Sequence, residues 1–237
     1  MTNMHPLPPK KKKLKKYQVF LLVLIAFIFS VLLLARITDG LQYFSIPTGS
    51  NEPTINVGDY IFSTNLKDPK RFDFICYRMN DSLSGRQIWV HRLCGLPGDR
   101  IEIRNDTLFV NGENVDQQFN LQKTFVIPTI DPDQYGLNME KLSPIGNGDS
   151  LMATLQTIKD SALIKRGHLY IENTDPAGDP HIRNVYQQPW TPSNFGPYIV
   201  PIGKYFVLGD NRLFSMDSRY NGPLDVKQYF GTVIGRK

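Results

Sequence analysis

The pattern of hydrophobic and polar positions divides the chain into an apolar run and a long region of short, punctuated segments. Residues 19–35, VFLLVLIAFIFSVLLLA, carry no charge and one hydroxyl, Ser30. With Tyr17 and Gln18, at ~1.5 Å per residue, the run matches the thickness of a bilayer's hydrocarbon core, so one transmembrane helix is predicted. After it, GDYIF (Gly58–Phe62) predicts a turn into a strand. FDFICY (Phe72–Tyr77) and IWVHRLC (Ile88–Cys94) flank the polar stretch RMNDSLSGRQ, the pattern of an antiparallel hairpin. LPGD (Leu96–Asp99) is a turn, and IEIRNDTLFVNGENV alternates about Asn-Asp and ends in Asn111-Gly112, further hairpin signals. Residues 115–202 hold nine of the seventeen prolines and long polar stretches. Within them Leu151, Leu155, Ile158 and Ala162 are spaced as on a short amphipathic helix over Ser150–Lys165, and HLYIE (His168–Glu172) predicts a strand. GKYFVLG (Gly203–Gly209) returns to strand, DNRLFSMDSRYNG (Asp210–Gly222) is a polar loop, and Phe230–Ile234 is a closing strand. The expected fold is mostly β with one N-terminal transmembrane helix. The expected organisation is a tail (1–16), an anchor (17–36), a core in two parts (37–114 and 203–237) and an inserted lobe (115–202).

Charge refines this picture at one end only. Lys10, Lys11, Lys12, Lys13, Lys15 and Lys16 cluster ahead of the apolar run. Setting these six aside takes the net charge of +5 to −1, so the basic character belongs to the tail and gives no support for nucleic-acid binding. The tail, with Pro6, Pro8 and Pro9, is expected to be disordered and to lie against anionic lipid. The positive-inside rule places the N-terminus in the cytoplasm and everything after Ala35 on the far side. A cleavable signal peptide competes with this reading, but the run is long for a signal core and LLARITDG lacks an A-x-A pattern. Cys76 and Cys94 are too few for a disulfide framework. Two buried thiols are expected, with one alternative: a hairpin centred near Gly85 would set them opposite each other, and an oxidising compartment would let them bridge.

Candidate chemistry begins at IPTGSNEPTI (Ile46–Ile55). Ser50 follows a glycine in a Pro/Thr/Gly cluster, where a turn can expose a hydroxyl and gather backbone N–H groups. Serine needs a base within hydrogen-bond reach. His91, mid-strand beside Arg92, is the candidate, and Ser215, Asp217 and Arg219 in the polar loop could orient it. Taken singly, these features are a linker, a core histidine and a solvated turn.

Together they resemble the bacterial type I signal peptidases. The resemblance covers the basic tail, the single anchor and the motif blocks in order, and it spans the chain except residues 115–202. The blocks are PTGSNEPTI with GDYI after it, VHRLCGLPGDRIEI followed by VNG, and VPIGKYFVLGDNRLFSMDSRYNG. The last is the most specific, with GDNR, then Ser, then DSR. The resemblance implies a mostly-β catalytic core with a β-rich inserted lobe, and a serine endopeptidase that removes signal peptides from exported preproteins. It implies Ser50 as nucleophile, the Ser50 N–H and Thr48 hydroxyl as oxyanion hole, and Ser215 as the hydroxyl orienting the base. Asp210, Asn211, Asp217 and Arg219 would form a supporting polar network, and Ile46, Pro47 and Val90 would line a small apolar pocket selecting Ala-x-Ala sites.

Two positions depart from the family pattern. Asn51 stands where methionine, a pocket wall, is common, which bears on substrate preference. His91 stands where the bacterial family has its lysine base, while relatives in the endoplasmic reticulum and archaea use histidine there. A Ser50–His91 dyad follows. Histidine titrates near ~6.5 without tuning, so activity is expected to fall below a pH of roughly 6–7. Lys67, Lys70 and Lys204 are the nearest alternative bases. Two other readings remain: a degenerate paralogue that binds signal peptides or scaffolds a partner, and a peptidase with a narrow substrate set. No cofactor or metal is expected; His168 and His181 near Asp175 and Asp179 match no ligand spacing and suit a surface loop. The expected partners are signal peptides, the lipid bilayer and, nearby, the secretion translocon.

Overall fold

The structure is a computed structural model that describes residues 15–38, 40–81, 85–128, 142–145, 150–170 and 175–237. The basic tail before Lys15 and the end of the HLYIE segment lie outside these residues.

Helix α1 (Lys16–Ile37) carries the apolar run. Residues Lys16–Leu34 are long and apolar enough to cross a membrane, and none of the most apolar window is buried against the rest of the chain. A helix that is apolar all round and packs on nothing needs a non-aqueous surround. The link to the domain is short and tied down. Asn65 Nδ2 donates to Thr38 O at 3.0 Å and Thr64 Oγ1 to Gly40 O at 2.5 Å.

The domain beyond is mostly antiparallel β-sheet. A seven-stranded sheet orders β1 (Gln42–Ser45), β2 (Tyr60–Thr64), β15 (Tyr229–Arg236), β3 (Phe74–Asp81), β4 (Gly85–Gly95), β13 (Lys204–Leu208) and β14 (Leu224–Asp225). A second sheet orders β12 (Phe195–Ile199), β5 (Arg100–Arg104), β6 (Thr107–Val110) and β7 (Glu113–Asn114). A third orders β11 (His168–Leu169), β8 (Gln122–Pro128), β10 (Ser150–Gln156) and β9 (Leu142–Ile145). Ile101, Leu108 and Phe195 of the second sheet pack in one apolar cluster with Cys94 and Phe206 of the first, and Phe125, Ile127, Ala153 and Leu155 form another on the third.

Two expectations are corrected and one alternative falls. The helix over Ser150–Lys165 is instead strand β10 followed by a single helical turn, α2 (Ser161–Ile164). A spacing of four residues, as between Leu151 and Leu155, fits both a helix and a strand. Ala153 decides, because Leu151, Ala153 and Leu155 are all buried while the residues between them are not. The β3–β4 hairpin extends through polar sequence to Asp81↔Gly85, so the connection is much shorter than RMNDSLSGRQ. That register places Cys76 opposite Val90, not Cys94. The cysteines fall in separate clusters as free thiols, and no bridge forms. Burial pushes each up to about 12, which keeps them protonated and inert.

Helix α3 (Pro180–Tyr186) had its signal in the sequence: Asp179 caps it, accepting from the His181 and Ile182 N–H groups, and Pro180 opens it. The Asp179 carboxylate is thus engaged as a cap. Among the described residues no group of three or more His, Cys, Asp or Glu could hold a metal ion.

Candidate active site

The turn carrying Ser50 is fixed at both ends by buried isoleucines. Ile46 N donates to Asp59 O at 2.8 Å and Ile55 N to Asn51 O at 2.9 Å, and both side chains enter the cluster around Ile61 and Cys76. Two further ties position the serine. Asn51 Nδ2 donates to Val90 O on β4 at 2.7 Å. The segment after β13 holds the turn from the other side, with Asn211 N donating to Ser50 O at 3.1 Å and Asn211 Nδ2 to Gly49 O at 3.0 Å. Gly209 makes this approach possible. A Cβ there would lie 2.3 Å from both Ser50 O and Ser215 Oγ, so only glycine lets the two serine segments meet.

His91 is 3% exposed on β4. Its Nδ1 lies 2.6 Å from Tyr77 Oη on β3, and its Nε2 lies 3.2 Å from Ser215 Oγ. Trp89 stands edge-on to the ring, with centroids 6.1 Å apart. Beside it opens a cavity of about 410 Å³, whose walls include Ile46, Pro47, Thr48, Ser50, Asn51, Val90 and His91. Every substrate-facing residue expected from sequence therefore meets on one cavity. Ser50 and His91 share that cavity, but among the described residues no hydrogen bond joins Ser50 Oγ to the imidazole. Ser215 Oγ is the group beside Nε2, and Ser215 is not among the residues lining the cavity. Phe44, Ile88, Trp89, Phe214 and Met216 complete the apolar lining and were not singled out from sequence. Among the described residues no lysine lines the cavity. Lys67 pairs with Asp73 at 3.0 Å and Lys204 with Asp225 at 3.2 Å.

The segment Asp210–Arg219 is not a solvated turn: Asp210, Asn211, Arg212, Ser215, Asp217, Ser218 and Arg219 are all buried. Its charges are matched locally. Arg219 grips Asp217 through Nε and Nη2, each at 2.9 Å, while the Gly209 and Arg219 N–H groups donate to the same carboxylate. Arg92 grips Asp210 at 2.8 and 2.5 Å, and Thr54 Oγ1 also donates to Asp210. Arg212 grips Asp116, which also takes Lys123 Nζ at 2.9 Å. Bidentate pairs of this kind fix orientation as well as charge, and they hold Ser215 against the histidine. The oxyanion candidates Thr48 and Ser50 lie on the cavity wall beside them.

Burial lowers the His91 pKa to about 4, with smaller opposing influences from Asp217 and Asp210, which raise it, and Arg219, which lowers it. The ring is therefore neutral at physiological pH. This revises the sequence expectation. The acid limb of kcat/KM is expected near pH 4–5 rather than 6–7, measured by initial rates of peptide cleavage across pH. The same shift makes folding oppose protonation. An unfolded histidine takes a proton near ~6.5 and the native one only near 4, so stability is expected to fall as pH drops through that window.

Residues 16–236 match the family model described as Signal peptidase, peptidase S26. The chain belongs to that family. Signal peptidase I of Rickettsia akari (strain Hartford) is 26% identical over 220 residues, covering 83% of this chain and 70% of that one. Signal peptidase I V of Bacillus subtilis (strain 168) is 26% identical over 188 residues, covering 78% of each. A solved signal peptidase I from Enterococcus faecalis V583 is 26% identical and covers 71% of this chain and 98% of that one, with a TM-score of 0.34. As a member of this family the chain is a hydrolase, a serine endopeptidase acting in signal-peptide processing. For a signal peptidase of this class, a hydroxyl, an unprotonated base and a cluster of donors on one apolar cavity are the parts that acyl transfer requires.

Proposed function

We propose that this signal peptidase cleaves exported preproteins after small residues, at Ala-x-Ala sites, through a Ser50–His91 dyad. The observation that carries this reading is the buried, neutral His91, held between Tyr77 and Ser215 on the wall that Ser50 shares. In the proposed cycle, Ser50 Oγ turns onto His91 Nε2, gives up its proton and attacks the scissile carbonyl. Catalytic hydrogen bonds are often loose in an empty site and close when substrate binds. The Ser50 N–H and the Thr48 hydroxyl take the developing oxyanion, each donor worth about 3 kcal/mol. His91 then hands its proton to the leaving amine and activates the water that releases the acyl group. Asp210, Asn211, Asp217 and Arg219 hold this arrangement without touching substrate.

Specificity follows from the cavity walls. Ile46, Pro47 and Val90 offer apolar surface to the P1 side chain, and this reading gives them the selection of a small residue. Asn51 lines the same cavity, with its Nδ2 donating to Val90 O. On the side away from β3, β4 pairs with β13 only from Arg92 onward. Apart from Val90 O, which takes Asn51 Nδ2, the backbone at Gln87–His91 is thus left without a β13 partner and could receive an extended peptide as an added strand. The helix α1 would anchor the enzyme in the cell membrane as a single pass, with a cytoplasmic N-terminus and the β domain across the membrane near the translocon. A signal-peptide-binding paralogue without activity is the second reading, and the missing Ser50–His91 hydrogen bond is what favours it.

The test is incubation of the detergent-solubilised full chain with a reporter preprotein carrying an Ala-x-Ala site. One cut, with the mature N-terminus directly after the P1 alanine, is expected, and P1 Ala→Phe should slow it by about 100-fold or more. A folded wild-type protein that binds the preprotein and cuts nothing would favour the second reading.

A further inference from the structure

Tyr77 has no part in the mechanism so far, yet it makes the shortest contact to the base. Register explains how it gets there. Ile75 is opposite His91 and Tyr77 is opposite Trp89. Side chains alternate along a strand, so Ile75, Tyr77, Trp89 and His91 share one face, and Tyr77 is the diagonal neighbour of the imidazole. The phenol is 3% exposed and its oxygen lies 2.6 Å from Nδ1. On its other side Tyr77 lines a separate cavity of about 110 Å³, shared with Asp217, Ser218 and Gln228.

We infer that Tyr77 is a positioning residue for His91, accepting the Nδ1–H so that Nε2 is left unprotonated to receive the Ser50 proton. This rests on the Ser50–His91 reading above. Which ring nitrogen carries the proton is set by the partner of the other. A neutral imidazole with its proton on Nε2 would present a donor to Ser50 and could not act as base. With Nδ1–H directed at Tyr77 Oη, the same ring keeps an Nε2 lone pair, which faces Ser215 Oγ at 3.2 Å here and is the acceptor that Ser50 must reach. When His91 becomes an imidazolium during the reaction, the Nδ1–H···Oη bond strengthens, because a charged donor bonds more strongly than a neutral one. Burial, and after it the charge of Asp217 across the cavity the two share, keeps the Tyr77 hydroxyl protonated. Tyr77 is therefore a neutral oxygen partner in the place where a buried carboxylate could otherwise serve, with the carboxylate one step back and neutralised by Arg219. The groups bearing on the ring are then Tyr77 from β3, Ser215, Asp217 and Arg219 from the segment after β13, and Asp210, which is paired with Arg92.

The experiment is nitrogen NMR of the histidine-labelled full chain in detergent, with kinetics on wild type and Tyr77→Phe. The chain has four histidines, so His91 is assigned by comparison with His91→Gln. Wild type should show the Nδ1–H tautomer at neutral pH. Tyr77→Phe keeps the ring and should shift the tautomer toward Nε2–H. It should also lower kcat by about 10- to 100-fold with little change in KM, less than the ~10⁴-fold recorded when a charged partner is lost. Its acid limb should move to lower pH, since the imidazolium loses a partner. A wild-type Nε2–H tautomer overturns the inference without need of any variant. So does a Tyr77→Phe protein with unchanged tautomer, acid limb and kcat. If His91→Gln retains full activity, the dyad reading fails instead, and the tautomer measurement still reports separately on Tyr77.

Discussion

Ser50→Ala should lower kcat for preprotein cleavage by about 10⁴-fold or more, and His91→Ala should match it, with little further loss when the two are combined. Residues that act as a unit are strongly non-additive: without the nucleophile the base has nothing to activate, and without the base the serine stays a neutral hydroxyl. The geometry makes both losses severe here. Among the described residues His91 is the one imidazole on the cavity wall, and no lysine lines it. Each position is also held by contacts that the substitutions leave alone. The turn is tied through the Ser50 carbonyl, Gly49 and Asn51, and Ser215 sits in the arginine–aspartate framework. Loss of rate with an unchanged denaturation midpoint would therefore report chemistry. Single-turnover cleavage, followed by separating precursor from product, is the measurement. A Ser50→Ala protein cutting at the wild-type rate would falsify the dyad. If Ser50→Ala is dead and His91→Ala is not, a base must come from outside the cavity. Lys67 and Lys204 would then have to leave their carboxylate partners to serve.

The local elements were legible because their signals are local. Strand, turn and strand follow from Gly and Asn-Gly punctuation around alternating apolar positions, as in Arg100–Arg104 and Thr107–Val110. Ser50, Thr48, His91, Ser215 and Asp217 stood out through motif resemblance, and they do converge. What was hidden depends on register and distant pairing. Tyr77 reads as one more aromatic at the end of FDFICY, and only the Tyr77↔Trp89 pairing puts it against Nδ1. Polar residues in DNRLFSMDSR predict a solvated loop by composition. They are buried because each charge has a partner, and Arg212 finds its partner in Asp116, 96 residues earlier. The period of Ser150–Gln156 was ambiguous until Ala153 proved to be buried. The pH expectation moved for a similar reason: sequence supplies the identity of a histidine, and burial supplies its pKa.

Arg219→Gln should destabilise the domain by about 3–5 kcal/mol, the usual cost of stranding one half of a buried ion pair. Both side chains of the pair are 0% exposed. Arg219 supplies two of the hydrogen bonds on Asp217 through its side chain, and its Nη2 also donates to Arg212 O at 2.8 Å. Against a typical net stability of about 5–15 kcal/mol this is a large fraction. The double variant Asp217→Asn/Arg219→Gln removes both charges and leaves amides that can still bond, so it should lose less than Arg219→Gln alone. Denaturant unfolding of the solubilised chain, followed by tryptophan fluorescence, gives the comparison. Burial pushes the Asp217 carboxyl up, and the charge and hydrogen bonds of Arg219, with the Gly209 N–H, together bring it below its ordinary value. Its pairing stabilises the fold above the ordinary carboxylate range and is lost as pH falls through the lowered value. In Arg219→Gln burial is opposed by the backbone N–H donors of Gly209 and residue 219, the carboxyl pKa rises, and the deficit should shrink as the medium is acidified. The same change reaches the reaction. Arg219 lowers the His91 pKa and Asp217 raises it, so losing the arginine alone should move the acid limb of kcat/KM to higher pH, and losing the aspartate alone should move it lower. Opposite shifts from two substitutions in one ion pair separate an electrostatic effect on the base from general loosening of the site, which would shift both in the same direction.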